Sequence, residues 1–250
     1  MRLGAMMWGG KAVAVSVAGF SEIGPRSSNE DSWATWLAGS TFFAAVADGL
    51  GGMPGGGQAS GYVIDYLKRH AVDAGTTAEW LADLALECHE GLQRLQVRYP
   101  DHASMATTVT VMGVSGRTLV AAHCGDTRLY VVRGGTLSQL SEDHSEAQRL
   151  FNEGLLSREA FIHYPRKHIL DSALGIPDKP AIQQIEFEVE TGDWLLIASD
   201  GAYNKFDPAE VIGVAKISRS PEDFAATCRR QVEANGPGDN YTMIVARIDA

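Results

Sequence analysis

Short apolar runs closed by glycine, proline or aspartate set the rhythm of this chain, and they predict mostly strands. Residues 11–19, rich in Val and Ala, read as a first strand, and a turn-rich loop over 20–28 follows with Gly24-Pro25 inside it. Residues 31–38 carry two tryptophans and stop at Gly39-Ser40, and residues 41–47 form the next apolar run. A two-residue link of this kind predicts a hairpin. The second of these runs ends abruptly at Asp48, after which Gly49, Gly51, Gly52, Gly55, Gly56 and Gly57 crowd the chain. An ionisable carboxylate at the tip of an apolar strand is costly unless something pairs with it or binds it.

The period then changes to that of a helix. Ala59, Tyr62, Val63, Tyr66 and Leu67 recur at helical spacing over 58–72. A second helix, capped by Thr76 or Thr77 with Glu79 near its start, runs to about Arg98 and gathers Leu81, Leu84, Ala85, Cys88, Leu92 and Leu95 on one face. Strand candidates follow over 107–114, 118–125, 128–133 and 136–140. Their links (Ser115-Gly116, Asp126-Thr127, Gly134-Gly135) predict an antiparallel meander. Residues 143–181 are polar, mixed and partly helical over 146–152 and 157–161, with Pro165, Pro177 and Pro180, and read as an inserted mobile segment. Strands resume over 182–189 and 193–198, where a second apolar run ends in Asp200-Gly201. Pro208 and Pro221 each start a helix, and a last strand over 241–248 follows Asp239-Asn240.

Composition narrows the class. The 250 residues are 45% hydrophobic and 21% charged, enough to bury a substantial core. A net charge of -10 argues against a nucleic-acid partner, which a basic face would accompany. No apolar run approaches the roughly 18 residues of a membrane span, and residues 1–10 lack a clean signal-peptide pattern, so the expectation is a cytoplasmic chain away from membranes. Cys88, Cys124 and Cys228 form no CxxC pair, which disfavours disulfides and structural zinc and suits reduced, buried thiols.

The acidic residues carry the chemistry. Asp48, Asp200 and Asp239 each sit where a strand meets a loop, Asp126 lies in a tight turn, and Glu30-Asp31 opens a strand. A single Asp-Gly is an ordinary turn signal. Several acidic strand ends brought together would form a cluster that cannot stay ionised without cations, and an all-oxygen donor set selects magnesium or manganese over zinc.

The motifs in order resemble those of the metal-dependent protein phosphatases of type 2C, in their bacterial, stand-alone form. Gly24-Pro25-Arg26-Ser27-Ser28-Asn29-Glu30-Asp31-Ser32 resembles the opening motif, and Val46-Ala47-Asp48-Gly49-Leu50-Gly51-Gly52 with Ala59-Ser60 the second. Ala106-Thr107-Thr108, Cys124-Gly125-Asp126-Thr127-Arg128-Leu129-Tyr130, Ser141-Glu142-Asp143-His144-Ser145, Ile197-Ala198-Ser199-Asp200-Gly201 and Gly238-Asp239-Asn240-Tyr241-Thr242 are similar to those that follow.

The resemblance implies an α+β fold, a four-layer α-β-β-α sandwich of two antiparallel sheets flanked by helix pairs. It implies a single catalytic domain over residues 1–250, with a flap at about 143–181. It implies hydrolysis of phosphoserine and phosphothreonine in proteins by a hydroxide shared between two Mn2+ or Mg2+ ions, in opposition to a serine/threonine kinase. Asp48 would bridge the ions, the Gly49 carbonyl would bind the first, and Asp200 and Asp239 the second. Asp126, with Asp200, would hold a third ion. Glu30, with Asp31, would orient metal-bound waters, and Arg26 would grip the phosphate, for which a guanidinium is suited by its bidentate donors. The partners implied are a phosphoprotein and its kinase, met by a monomer.

The chain departs from the pattern at three places. Leu50 stands where some relatives place a histidine that serves as proton donor, Met53 stands where many bacterial relatives have histidine, and Thr127 replaces serine. Every implied metal carboxylate is present, which favours an active enzyme over the alternative, a weak or inactive phosphoprotein-binding scaffold on the same fold. The resemblance leaves His144 outside the metal centre, at the start of the flap.

Overall fold

The computed structural model describes residues 14–50, 55–72 and 76–249. In chain order the strands are β1 (Ala14–Glu22), β2 (Asp31–Ala38), β3 (Thr41–Asp48), β4 (Val109–Ser115), β5 (Thr118–Cys124), β6 (Arg128–Arg133), β7 (Thr136–Gln139), β8 (Gln183–Glu188), β9 (Trp194–Ala198) and β10 (Tyr241–Asp249). Helices α1 (Gly56–His70) and α2 (Ala78–Arg98) separate β3 from β4, and the short α3 (Glu146–Asn152) and α4 (Arg158–Ile162) lie between β7 and β8. Three more, α5 (Asp200–Tyr203), α6 (Pro208–Ile217) and α7 (Pro221–Ala234), separate β9 from β10.

The strands form two antiparallel sheets, ordered β1-β10-β9-β6-β7 and β2-β3-β4-β5-β8. Helices α1 and α2 cover the outer face of the second sheet, and α6 and α7 that of the first. This is the α-β-β-α sandwich. It explains why β3 and β9 read as unbroken apolar runs: a central strand with a layer on each side is buried on both faces. In β3, Phe42, Ala44 and Val46 face the other sheet with Met112, Leu129 and Ile197, whereas Phe43, Ala45 and Ala47 pack under α1 and α2. Phe43 is fully buried and stacks on Trp36 at 5.3 Å. In β9, Leu195 and Ile197 point inward, and Trp194, Leu196 and Ala198 point toward α6 and α7.

Two expectations change. The Gly39-Ser40 hairpin between β2 and β3 forms, but the predicted meander breaks at Asp126-Thr127. There the chain leaves one sheet for the other: β5 pairs with β8, and β6 pairs with β9 and β7. Gly125 adopts φ +105°, a conformation open to glycine, and this sharp turn redirects the chain across the sandwich. The first strand also runs on to Glu22, into the span expected as loop, because each residue from Ala14 to Glu22 finds a partner on β10; its predicted start at residues 11–13 lies outside the described residues.

Candidate metal centre

The sheets bring the acidic strand ends to one end of the sandwich. Asp31 begins β2 and Asp48 ends β3, and the register places the two directly across from each other. Asp200 follows β9, Asp239 precedes β10, and Asp126 sits in the crossover between β5 and β6. Asp48 feels all four of the others: burial is the largest cause of its strongly raised pKa, followed by the charges of Asp31, Asp200, Asp126 and Asp239. Burial likewise pushes Asp126 up to about 8, with Asp200 and Asp143 adding to it. Asp200 is pushed to about 6, by burial first and then by Asp239 and Asp31. Burial also raises Asp31, and hydrogen bonding from Thr242, Ser199 and Asp48 offsets part of that rise.

Neutral donors hold this cluster in place. The Ser199 and Thr242 hydroxyls donate to Asp31 Oδ2 at 2.8 and 2.6 Å, while Oδ1 is buried without a hydrogen-bond partner. A carboxylate oxygen left open beside a second carboxyl is a position that a proton, a water or a cation can satisfy. The Asp48 peptide groups are pinned by two threonines: Thr107 Oγ1 and the Thr108 N–H donate to its carbonyl at 2.8 and 2.9 Å, and its own N–H donates to Thr108 Oγ1 at 3.0 Å. Gly49 packs so closely against Gly56 and the Glu30 carbonyl that a Cβ there would collide with backbone.

Arg26 and Glu30 lie on the loop between β1 and β2, which Asn240 clamps. Its Nδ2 donates to the Ile23 and Ser28 carbonyls at 2.7 and 2.9 Å, and its Oδ1 accepts the Glu30 N–H at 2.8 Å. The loop thus carries Arg26 to Asp239, whose Oδ2 it meets at 2.6 Å. The Glu30 side chain lies against Gly56 and Gly57 at the start of α1, while Asp31 is the neighbour whose charge acts most on Asp48. Leu50 donates its backbone N–H to Ala106 and offers no titratable side chain.

His144 stays apart from the carboxylates and holds their turn instead. Its backbone N–H donates to the Gly125 carbonyl at 2.7 Å, and its ring Nδ1 accepts the Gly125 N–H at 3.3 Å. Arg128, inside the motif that follows Cys124, gains a role only in the folded structure. It grips Asp143 with both Nε and Nη2, and its guanidinium lies 3.8 Å above the Tyr203 ring. Its position two residues after Asp126 was the available signal. Ser199 and Thr242 were equally visible beside Asp200 and Asn240, but nothing in the chain said that both would reach Asp31.

A cleft of about 210 Å3 opens beside Asp126 and Asp200, and Phe161, Ile162, Lys167 and His168 of the 143–181 segment form its far wall. The larger cavity, about 370 Å3, lies behind Arg128 and Tyr203 under α6 and is lined by no carboxylate. The cleft beside the aspartates is the candidate site. The carboxylates are gathered but not closed on a point: among the described residues no three His, Cys, Asp or Glu side chains are disposed around a common centre. The oxygen-only donors, the raised carboxyls and the orphaned Asp31 oxygen fit a hard divalent cation.

A two-sheet sandwich flanked by helix pairs, with aspartates gathered at one end, defines an α+β protein with an acidic end suited to a divalent cation. The family model described as Protein phosphatase 2C matches residues 18–238, and the chain belongs to that family. It is 32% identical over 206 residues to the serine/threonine phosphatase stp of Listeria welshimeri, covering 80% of this chain and 82% of that one. The crystal structure of the Mycobacterium tuberculosis serine/threonine phosphatase PstP/Ppp superposes with a TM-score of 0.84 at 29% identity, over 95% of this chain and all of that one. The catalytic domain of PstP in complex with two manganese ions superposes with a TM-score of 0.81 at 28% identity, over 95% and 99% of the two chains. The protein is therefore a serine/threonine protein phosphatase of the 2C family. Among the described residues no helix is long and apolar enough to cross a membrane.

Proposed function

We propose that this phosphatase hydrolyses phosphoserine and phosphothreonine on proteins with two Mn2+ or Mg2+ ions held at the aspartate cluster, in opposition to a serine/threonine kinase. The observation that carries this reading is the enclosure of Asp48 among Asp31, Asp200, Asp126 and Asp239, each of which raises its pKa or is itself raised. Asp48 would reach both ions, with the Gly49 carbonyl beside the first. Asp200 and Asp239 would hold the second, and Asp126 with Asp200 a third. When bound, such ions supply Lewis acidity toward water and toward the phosphoryl oxygens. Asp31 is set by Ser199 and Thr242 to accept a hydrogen bond from a water beside Asp48 and so to aim it. Glu30 serves the same water network from the start of α1. Arg26 receives the phosphate, and its guanidinium neutralises the charge that spreads over the equatorial oxygens. With an apolar side chain at Leu50, the leaving alkoxide takes its proton from solvent in the cleft. Residues 143–181 act as the flap over a single catalytic domain.

Three buried free thiols, Cys88, Cys124 and Cys228, suit a reducing cytoplasm. The test is Mn2+-dependent release of p-nitrophenol from its phosphate ester. Wild type should turn over, and Asp48→Asn and Asp239→Asn should each abolish turnover while remaining folded. A folded wild type that is inactive with both Mn2+ and Mg2+ would leave only a phosphoprotein-binding scaffold.

A further inference from the structure

One stripe of α2 departs from the apolar pattern of its buried face. His89, Gln93 and Gln96 follow one another at spacings of four and three, so they lie on one side of the helix. Each is bonded to backbone. His89 is buried, and its Nδ1 accepts the Gly175 N–H at 3.1 Å. Gln93 Nε2 donates to the Ile176 carbonyl at 3.2 Å. Gln96 Nε2 donates twice, to the Met105 carbonyl at 2.8 Å and to the Gly175 carbonyl at 2.7 Å.

Met105 and Gly175 belong to the two segments that frame Asp48. Thr107 and Leu174 exchange both backbone hydrogen bonds, at 3.0 and 2.8 Å, and Thr107 also bridges to Gly49. Thr107 and Thr108 in turn hold both peptide groups of Asp48. Hydrogen bonds and the short stretches of chain between them therefore lead from the Gln96 amide, by way of Met105 and of Gly175-Leu174, to Thr107 and then to Asp48 and Gly49. The two segments touch at Gly175, which has φ +91° and where a Cβ would stand 2.5 Å from the Met105 oxygen. Burial of Leu174 draws the segments together but is non-directional. The Thr107–Leu174 pair ties the segments at one point, and one amide donating to a carbonyl on each adds a second directional tie that keeps them from pivoting.

We propose that Gln96, assisted by His89, is a positioning residue for the phosphatase reaction: it locks Met105 to Gly175 and thereby holds Asp48 and Gly49 where the divalent cations bind. This inference rests on the reading of Asp48 and Gly49 as metal ligands. Gln96→Met keeps the length of the side chain and removes its donors. In the full chain it should raise the Mn2+ concentration for half-saturation by about tenfold in titration calorimetry and lower kcat/KM toward a phosphopeptide by a similar factor, mostly through kcat. Gln96→Lys restores donors and should recover most of both losses, and Val97→Ala, at a neighbouring position 85% exposed, should change neither.

If Gln96→Met lowers the thermal midpoint but leaves the Mn2+ titration and kcat/KM at wild-type values, Gln96 only packs and the proposal is overturned. Asp48→Asn, titrated alongside, separates this from failure of the metal reading: wild-type Mn2+ affinity in Asp48→Asn sinks that reading whatever Gln96 does. Should Gln96→Met not fold, hydrogen exchange on the wild type decides. Mn2+ should slow exchange at the Thr107, Thr108, Leu174 and Gly175 amides, and unaltered exchange there overturns the proposal.

Discussion

Arg26 Nη2 donates to Asp239 Oδ2 at 2.6 Å, joining two loops 213 positions apart at the rim of the aspartate cluster. Both side chains remain 49% and 40% exposed, so the pair is worth little to stability, on the order of 1 kcal/mol or less. Its consequence is competition, because the guanidinium neutralises a carboxylate that a cation would also claim. Arg26→Ala is expected to leave the thermal midpoint nearly unchanged and to leave Mn2+ affinity equal to or tighter than wild type. The same variant should raise KM for a phosphopeptide roughly tenfold or more, the scale on which a charge-assisted contact is lost. Titration calorimetry beside steady-state kinetics checks both directions, and weaker Mn2+ binding would contradict the competition.

Asp48 illustrates a site kept at a cost to the metal-free fold. It is enclosed and repelled by Asp31, Asp200, Asp126 and Asp239. Asp48→Asn removes a carboxyl from that group, so in the presence of a chelator it should be more stable than wild type, by about 1 kcal/mol. Mn2+ should then raise the melting temperature of wild type and leave that of Asp48→Asn almost unmoved. Thermal denaturation with chelator and with Mn2+ reads all four values.

The acid limb of stability should report on His123. The ring is fully buried, with Nδ1 2.8 Å from Thr110 Oγ1 and Nε2 3.1 Å from the Glu142 carbonyl. Burial, and then the charges of His144 and Arg128, push its pKa down to about 3, against backbone hydrogen bonds to Glu142 and Gly125 that raise it. The unfolded chain takes up this proton near pH 6.5 and the native state not until about 3. The contribution is therefore fully present above pH 6.5 and is lost as pH falls from there toward 3, by at most about 1.4 kcal/mol per unit. His123→Gln should be less stable at neutral pH and should flatten the slope between pH 6.5 and 4. Urea midpoints across that range decide it, and equal slopes in both proteins would refute the assignment.

Gly49 has no room for a side chain. A Cβ would strike the Gly56 carbonyl and approach the Glu30 oxygen, displacing the first turn of α1 and the loop that bears Arg26. Gly49→Ala should destabilise by about 1–3 kcal/mol, the usual range for overpacking, and remove Mn2+-dependent turnover. Gly116→Ala is a useful comparison, since its surroundings are empty and only its φ of +55° opposes the change. It should lose about 1 kcal/mol and keep its activity.

Much of this arrangement was already legible along the chain. The unbroken apolar runs of β3 and β9 follow from burial on both faces, and a carboxylate at the tip of such a run stands out without any partner being known. The Gly39-Ser40 hairpin and the helical face of α2 are likewise local patterns. The crossover at Asp126 was not legible, because a two-residue link looks the same whether the next strand pairs with its predecessor or enters the opposite sheet. Nor was the polar stripe of His89, Gln93 and Gln96, since amphipathic spacing says which side of a helix is buried but not that backbone carbonyls wait there.

The sequence by itself singled out the candidate residues: Asp48, Asp200 and Asp239 by their place where a strand meets a loop, Asp126 by its tight turn, and Arg26, Glu30 and Asp31 by the motif around them. Tertiary structure alone decided who meets whom. It set Asp31 across from Asp48, gave Asp239 to Arg26, and turned Glu30 toward α1. The physical reason is one of range. Periodicity and turn preference act over a few residues, whereas a carboxylate's pKa and partners depend on charges and donors that only the packing of two sheets brings within reach.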